Sequence, residues 1–199
     1  LARLVEGDRN IAIGSDAAWY IQKGEDNVAI GKAALGEVKE ESDRNVAIGT
    51  NALGQTNNNS FTDNVAIGHR SLSGGSSSFA KTKCVAVGAS AGIRNNTNCV
   101  AIGANAALYM EGGGNVAIGM DAMNNYDVDG QNNICIGHSA KLHSKSVPAT
   151  IENSIAIGYN VEVSDSNQII IGSSSHAVVE IAGKRIIFNE DGSVTWEQV

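Results

Sequence analysis

A five-residue pattern of alternating apolar and small or polar positions recurs ten times along the chain, most often as Asn-Val-Ala-Ile-Gly. The second and fourth positions are always Val or Ile, and the fifth is always Gly. The third position is Ala except at Cys135 and Ile170. The copies occupy residues 10–14, 27–31, 45–49, 64–68, 84–88, 99–103, 115–119, 133–137, 154–158 and 168–172.

A period of two predicts a short β-strand in each copy, because residues two apart on a strand share a face. It does not fit the 3.6-residue period of a helix. The β-branched residues then lie on one face and the alanines on the other. A face of alanines is too small for an ordinary core and too apolar for solvent, so we expect it to pack closely against another chain. The candidate trimer-interface residues are Ala29, Ala47, Ala66, Ala86, Ala101 and Ala117.

The copies are separated by 14 to 21 residues, a spacing that predicts a solenoid of about ten stacked turns. At about 4.8 Å per turn the rod would be roughly 48 Å long. Stacking places the asparagines in one column, where their amides can bond to each other, and the glycines in a second column at a corner. A small residue three positions after each of the first eight motif glycines suggests a second short strand. This applies to Ala17, Ala34, Ala52, Ser71, Ala91, Ala106, Ala122 and Ala140.

The repeats define one unit, residues 1–172, and the pattern changes in residues 173–199. Segments 177–182, 185–188 and 193–199 are strand-like, and 189–192 has the composition of a hairpin turn. The last turn of a solenoid is an open sheet edge, which needs protection. We therefore expect this β-meander to be a C-terminal cap or trimer clasp.

Composition narrows the function further. The net charge is −7 with no basic stripe, which argues against a nucleic-acid partner. No apolar run approaches 18 residues, so we expect no membrane insertion. Catalytic, phosphate-binding and metal-ligand motifs are missing from the sequence. The sequence thus favours a protein that is not an enzyme and has no metal and no cofactor.

Most aromatic residues lie in the variable segments between the repeats. Exposed aromatic rings stack on sugars and anchor protein partners, so these residues are candidates for ligand binding. Alternatively, each ring folds back over its own loop. The set is Trp19, Tyr20, Phe61, Phe79, Tyr109 and Tyr126.

Two cysteines raise a separate question. Cys84 and Cys99 hold the same motif position in successive turns, where stacking would bring them within reach of a disulfide. The alternative is that both are small buried thiols.

The Asn-Val-Ala-Ile-Gly motif, with Ala three residues later, resembles the head repeats of trimeric autotransporter adhesins (YadA-like heads) over residues 8–172. This resemblance implies a left-handed parallel β-roll, a homotrimer and an adhesive function. The chain departs from bacterial heads in three ways. The segments that connect its repeats, which we call the returns, are longer and more varied. It also contains cysteines and lacks a neck sequence.

Residues 167–176 and the following meander are similar to the ends of phage tail fibres, which often carry a self-cleaving intramolecular chaperone downstream. That resemblance implies a fragment whose end at Val199 is a cleavage product. The expected function is receptor binding by a virion tail fibre that recognises a bacterial surface glycan or protein. The alternatives are the head of an adhesin on the bacterial cell surface and a purely structural rod segment.

Overall fold

The chain is a parallel β-solenoid, as seen in a computed structural model. The structure describes residues 7–19, 21, 23–36, 42–54, 61–73, 81–92, 97–109, 111–124, 128–143, 149–172, 178–181, 184–188 and 194–198. Within these residues there is no helix, and hence none that could cross a membrane.

Every copy of the repeat forms a three-residue strand at its second to fourth positions, as predicted. The ten strands build one parallel sheet in chain order and in register, so that Ala47 pairs with Ala29 on one side and Ala66 on the other. They are β1 (Ile11–Ile13), β2 (Val28–Ile30), β3 (Val46–Ile48), β5 (Val65–Ile67), β7 (Val85–Val87), β8 (Val100–Ile102), β9 (Val116–Ile118), β11 (Ile134–Ile136), β14 (Ile155–Ile157) and β16 (Ile169–Ile171).

Two-residue strands in the returns pair in parallel with those of neighbouring turns: β4 with β6, β10 with β13, and β12 with β15. They span β4 (Phe61–Thr62), β6 (Lys81–Thr82), β10 (Val128–Asp129), β12 (Lys141–Leu142), β13 (Ala149–Thr150) and β15 (Glu162–Val163).

The two faces of the ten-stranded sheet are the reverse of the prediction. In β2 to β14 of that sheet the third-position side chains are buried inside the chain's own coil, and the Val and Ile side chains point outward and are at least partly exposed. The interior is narrow: a Cβ on Gly92 would lie 3.5 Å from the Cβ of Ala86. Large side chains from the turns, among them Leu53, Leu72 and Met123, fill the rest of that interior, so the facing sheet positions hold small residues.

The predicted alanine interface is therefore wrong. The six alanines are at most 2% exposed within a single chain, so their side chains leave no surface for another chain to contact. They are Ala29, Ala47, Ala66, Ala86, Ala101 and Ala117.

The motif glycines form the corner that the sequence predicts. Gly49 has φ +130°, and a Cβ there would lie 2.6 Å from the carbonyl oxygen of Gly68 in the next turn. The small residue that follows lies in a turn and not in a second strand. The N–H of Ala52, for example, donates to the carbonyl of Gly49 over 3.2 Å, and Asn51, one of the two residues between them, has φ +57°.

The end of the chain contains the predicted meander, an antiparallel sheet of β17 (Val178–Ile181), β18 (Lys184–Phe188) and β19 (Val194–Gln198). β18 pairs with both neighbours, with Ile186 opposite Val179 and opposite Trp196.

Candidate interaction surfaces

Asparagines at the first motif position form a hydrogen-bonded ladder, as predicted. Asn27, Asn45 and Asn64 each donate a side-chain N–H to Oδ1 of the asparagine one turn earlier over 3.0 Å. The same oxygens accept the backbone N–H of the residue stacked on them. The other N–H of each side-chain amide donates to a backbone carbonyl in a return, as Asn45 does to the carbonyl of Phe61. The ladder fixes each strand to a return without placing an unpaired polar group in the core.

Cys84 and Cys99 replace asparagine at two consecutive steps of the ladder. The backbone N–H of Cys84 still donates to Oδ1 of Asn64, over 3.0 Å. Its thiol lies 3.5 Å from the carbonyl of Thr82, and the thiol of Cys99 lies 3.3 Å from that of Thr97. Both cysteines are buried and neither forms a disulfide. The prediction of buried thiols is confirmed.

The outward face of the ten-stranded sheet is a continuous apolar surface, which we call the Val/Ile face. It contains the second- and fourth-position side chains of all ten strands, twenty in total, and each is at least partly exposed. Its most exposed members are Ile11, Ile13, Ile67, Ile102, Ile169 and Ile171, at 37–67%. A parallel sheet in a stable protein is normally covered on both faces.

A charged column runs beside the asparagine ladder, one residue earlier in each turn. Its first five members alternate in sign: Arg9, Asp26, Arg44, Asp63 and Lys83. Arg44 Nη2 donates to Asp63 Oδ2 over 3.2 Å, and this contact lowers the pKa of the Asp63 carboxyl and raises that of the Arg44 guanidinium. Contact with Arg9 lowers the pKa of Asp26 in the same way.

The backbone explains why asparagine and glycine occupy the later positions of this column. Each of its first five members has φ between 55° and 61°, in the left-handed region that side chains rarely adopt. Asn and Asp tolerate this conformation best, and the later members are Asn98, Asn132, Asn153 and Asn167, with Gly114 among them.

Lys81 is a buried cation that the sequence analysis missed. Its side chain is 2% exposed, and Nζ donates to the carbonyl of Leu72 over 2.7 Å. Burial lowers the pKa of Lys81 to about 7, because a charged ammonium is poorly solvated in the core. It pairs with Phe61 between β6 and β4. Both stand three residues before the first motif position, and that fixed offset is the signal that could have identified them as interior.

The structure separates the aromatic candidates. Trp19 is 38% exposed and Tyr109 is partly exposed, which is compatible with contact to a ligand. Phe61 is fully buried in the core, so its assignment as a ligand contact is wrong. The remaining three, Tyr20, Phe79 and Tyr126, lie outside the described residues.

One exposed aromatic group, in the shortest return of the chain, is not among the sequence-based candidates. Tyr159 is 67% exposed, and its ring centroid lies 5.4 Å from that of His138 on the preceding turn. Met120 precedes His138 in the same column and is 49% exposed. These three residues form an exposed cluster at the edge of the Val/Ile face, each directly after a motif glycine.

Among the described side chains, no three of His, Cys, Asp or Glu come together in a way that could hold a metal ion. No family model, no curated protein and no solved structure matches the chain. The candidate surfaces therefore rest on the geometry and on the repeat alone.

Proposed function

We propose that this chain is a segment of a homotrimeric fibre that binds a receptor on a bacterial surface, and that it belongs to a phage tail fibre. The observation that supports this most strongly is the Val/Ile face, an apolar sheet surface that follows the whole ten-stranded sheet. In the proposed assembly the coil is left-handed and makes ten full turns.

The Val/Ile face supports assembly through three arguments. Its twenty Val and Ile side chains form a patch larger than monomeric proteins usually expose. The face belongs to an all-parallel sheet, which is usually covered on both sides. The third argument is its regularity: in-register strands present straight columns, and identical columns on other copies can pack against them along their full length.

Three copies around one axis would cover this face, as the resemblance to trimeric adhesin heads implies. The buried alanines then form the core of each chain, and the β-branched residues form the interface. In this arrangement the meander of β17 to β19 caps the coil and clasps the trimer at its end.

The receptor-binding surface would lie away from the axis, on the returns between strands. Trp19 and Tyr109 are the described aromatic residues that remain candidates there. Polar returns of variable length are suited to specific contacts, because their sequences can change without disturbing the ladder. The ligand class is a surface glycan or an outer-membrane protein.

The test is binding of the purified chain, labelled with a fluorophore, to a panel of bacterial strains. We expect it to bind some strains and not others, and we expect Trp19→Ala with Tyr109→Ala to reduce that binding at least tenfold. A Gln131→Ala variant, altered at an exposed return position, is the matched control. Binding to none of the strains would favour the structural rod. Unchanged binding by the double variant would exclude these two rings.

The same binding would be expected of a bacterial adhesin head, the second candidate, which the head-like repeat favours. The product of the complete gene separates the two. Removal of a chaperone segment after Val199 would support the tail fibre. A product continuing into a coiled coil and a membrane-anchor barrel would support the adhesin.

A further inference from the structure

The asparagine ladder changes chemistry at two consecutive steps, where it holds thiols in place of amides. We propose that Cys84 and Cys99 form a redox-active pair, which a peroxide converts into a disulfide joining two successive turns of the coil. This inference does not depend on the proposed binding function.

The geometry of the ladder brings the two sulfurs together. β7 and β8 pair in parallel with Val85 opposite Val100, so the cysteines immediately before them are stacked one above the other. Where asparagines occupy these positions, side-chain atoms of successive turns approach to 3.0 Å. Cα atoms one strand apart, at about 4.8 Å, lie within the range that a disulfide spans. The two thiols are close enough to hydrogen-bond with each other.

The same ladder makes Cys99 the more acidic thiol. Its sulfur occupies the place of an asparagine Oδ1, with the Cys84 thiol and the backbone N–H of Asn115 directed at it, and it lies 3.3 Å from the carbonyl oxygen of Thr97 and 3.5 Å from that of Gly112. These donors lower the pKa of Cys99 to about 7, whereas donation to Cys99 raises the pKa of Cys84. In the proposed reaction Cys99 is the nucleophile of the pair, because the thiolate is the reactive form.

Cys135 is an internal control for this environment. It stands at the third motif position inside the coil, between Ala117 and Ala156, with no thiol on either adjacent strand. Burial alone raises its pKa to about 12. It has neither a stabilised thiolate nor a resolving partner.

The reaction balances with a peroxide as the oxidant. The Cys99 thiolate attacks one peroxide oxygen, an S–O bond forms, the O–O bond breaks, and the leaving hydroxide departs as water with the thiol's proton. The Cys84 sulfur then attacks the Cys99 sulfenic acid, an S–S bond forms, and the S–O bond breaks to release a second water with the proton of Cys84. Two thiols lose two electrons and the peroxide gains them. Cys99 is 4% exposed, so a small oxidant is the fitting one.

The disulfide would cross-link residues 15 positions apart and so restrict the unfolded chain. A loop of this size is expected to raise the midpoint of thermal unfolding by about 5–10 °C. The bond would stabilise the middle of the coil, and a dithiol reductant would break it and reverse the effect.

The test treats the folded 199-residue chain with hydrogen peroxide, then unfolds it in an alkylating reagent and analyses its peptides by mass spectrometry. We expect a cross-linked peptide pair containing Cys84 and Cys99, with Cys135 alkylated, and a higher unfolding midpoint that dithiothreitol reverses. A Cys84→Ala variant should instead accumulate sulfenic acid at Cys99, detected with dimedone, with no rise in the midpoint. The proposal is overturned if Cys84 and Cys99 stay fully alkylated, if both oxidise without a cross-link, or if Cys135 reacts as fast as Cys99.

Discussion

The side-chain amide of Asn45 donates to Oδ1 of Asn27 over 3.0 Å, and the same oxygen accepts the backbone N–H of Asn45 over 3.0 Å. One oxygen thus joins both the side chain and the backbone of the next turn. The arrangement repeats from Asn45 to Asn64 and again between the backbone of Asn133 and Asn115. It fixes the register of the coil, because a shifted strand would lose both bonds at every step.

Replacing one step of the ladder should cost more than removing one hydrogen bond. Asn45→Ala leaves the buried backbone N–H of Asn64 without its acceptor, and it removes one of the two donors to the carbonyl of Phe61. We expect the free energy of unfolding to fall by about 2–4 kcal/mol, measured by urea denaturation. Gln131→Ala, which removes an exposed amide, should change it by less than about 0.5 kcal/mol. Equal effects of the two substitutions would show that the ladder does not stabilise the coil.

Charges on the Val/Ile face should prevent assembly while the coil itself stays folded. Ile67 and Ile102 are 37% and 39% exposed in the single chain, so Glu at both positions can remain in water in a monomer but not in an interface. We expect the Ile67→Glu, Ile102→Glu variant to be monomeric by sedimentation, with the circular dichroism spectrum of the parent. Gln131→Glu should assemble normally. An assembled double variant would exclude this face as the interface.

A charge on the inward, alanine face of the sheet should unfold the chain instead of separating folded copies. Ala47 is 0% exposed within its own chain, so Ala47→Glu would bury a carboxylate in the core. We expect this variant to lose at least about 4 kcal/mol of stability and to unfold or misfold, rather than dissociate into folded monomers. Folded monomers of Ala47→Glu would instead support the alanine interface that the sequence suggested.

Lys81 should make the stability of the coil depend on pH. Its pKa is about 7 in the folded chain and 10.5 for a solvated lysine, so the unfolded chain binds more protons between these values. The free energy of unfolding should therefore rise as pH increases from about 7 towards 10.5. Lys81→Met removes this titration, and its stability relative to the parent should fall as the pH rises from about 7 to about 9. A difference that is constant across this range would show that the buried amine does not titrate there.

Reversing one charge in the alternating column should produce a salt-dependent loss. Arg44→Glu places an acid between Asp26 and Asp63, whereas Arg44→Gln only removes the positive charge. We expect Glu to lower the thermal midpoint more than Gln, by a few degrees at most because the column is exposed. The difference between the thermal midpoints of the two variants should become smaller at high salt, because screening weakens the interactions between exposed charges. An identical difference at low and high salt would point to a steric cause.

The repeat in the sequence was enough to predict the strands, their register, the glycine corner and the asparagine ladder. It could not predict which face points inward. A period of two assigns Val46 and Ile48 to one side and Ala47 to the other, but gives no distance between the walls of the coil. The usual preference for large apolar residues inside then gave the wrong answer, because the turns supply the large interior side chains, such as Leu53, and the sheet supplies the small ones.

The returns were harder to interpret because their lengths vary. Phe61 lies in a variable segment between repeats, which makes it a surface candidate from the sequence, although it stands at the same offset from the motif as the buried Lys81. That shared offset is the sequence signal for the buried position of Phe61. Tyr159 is not among the sequence-based candidates, yet at 67% it is more exposed than Trp19. The exposure of Tyr159 depends on the fold and had no signal in the sequence.

The most direct test of the account is the mass of the assembled protein, measured by sedimentation equilibrium at micromolar concentration. Coverage of the Val/Ile face by three copies predicts a particle of three times the 20.6 kDa chain mass. It should persist on dilution, as obligate apolar interfaces do. A folded monomer, or a dimer, would contradict the account.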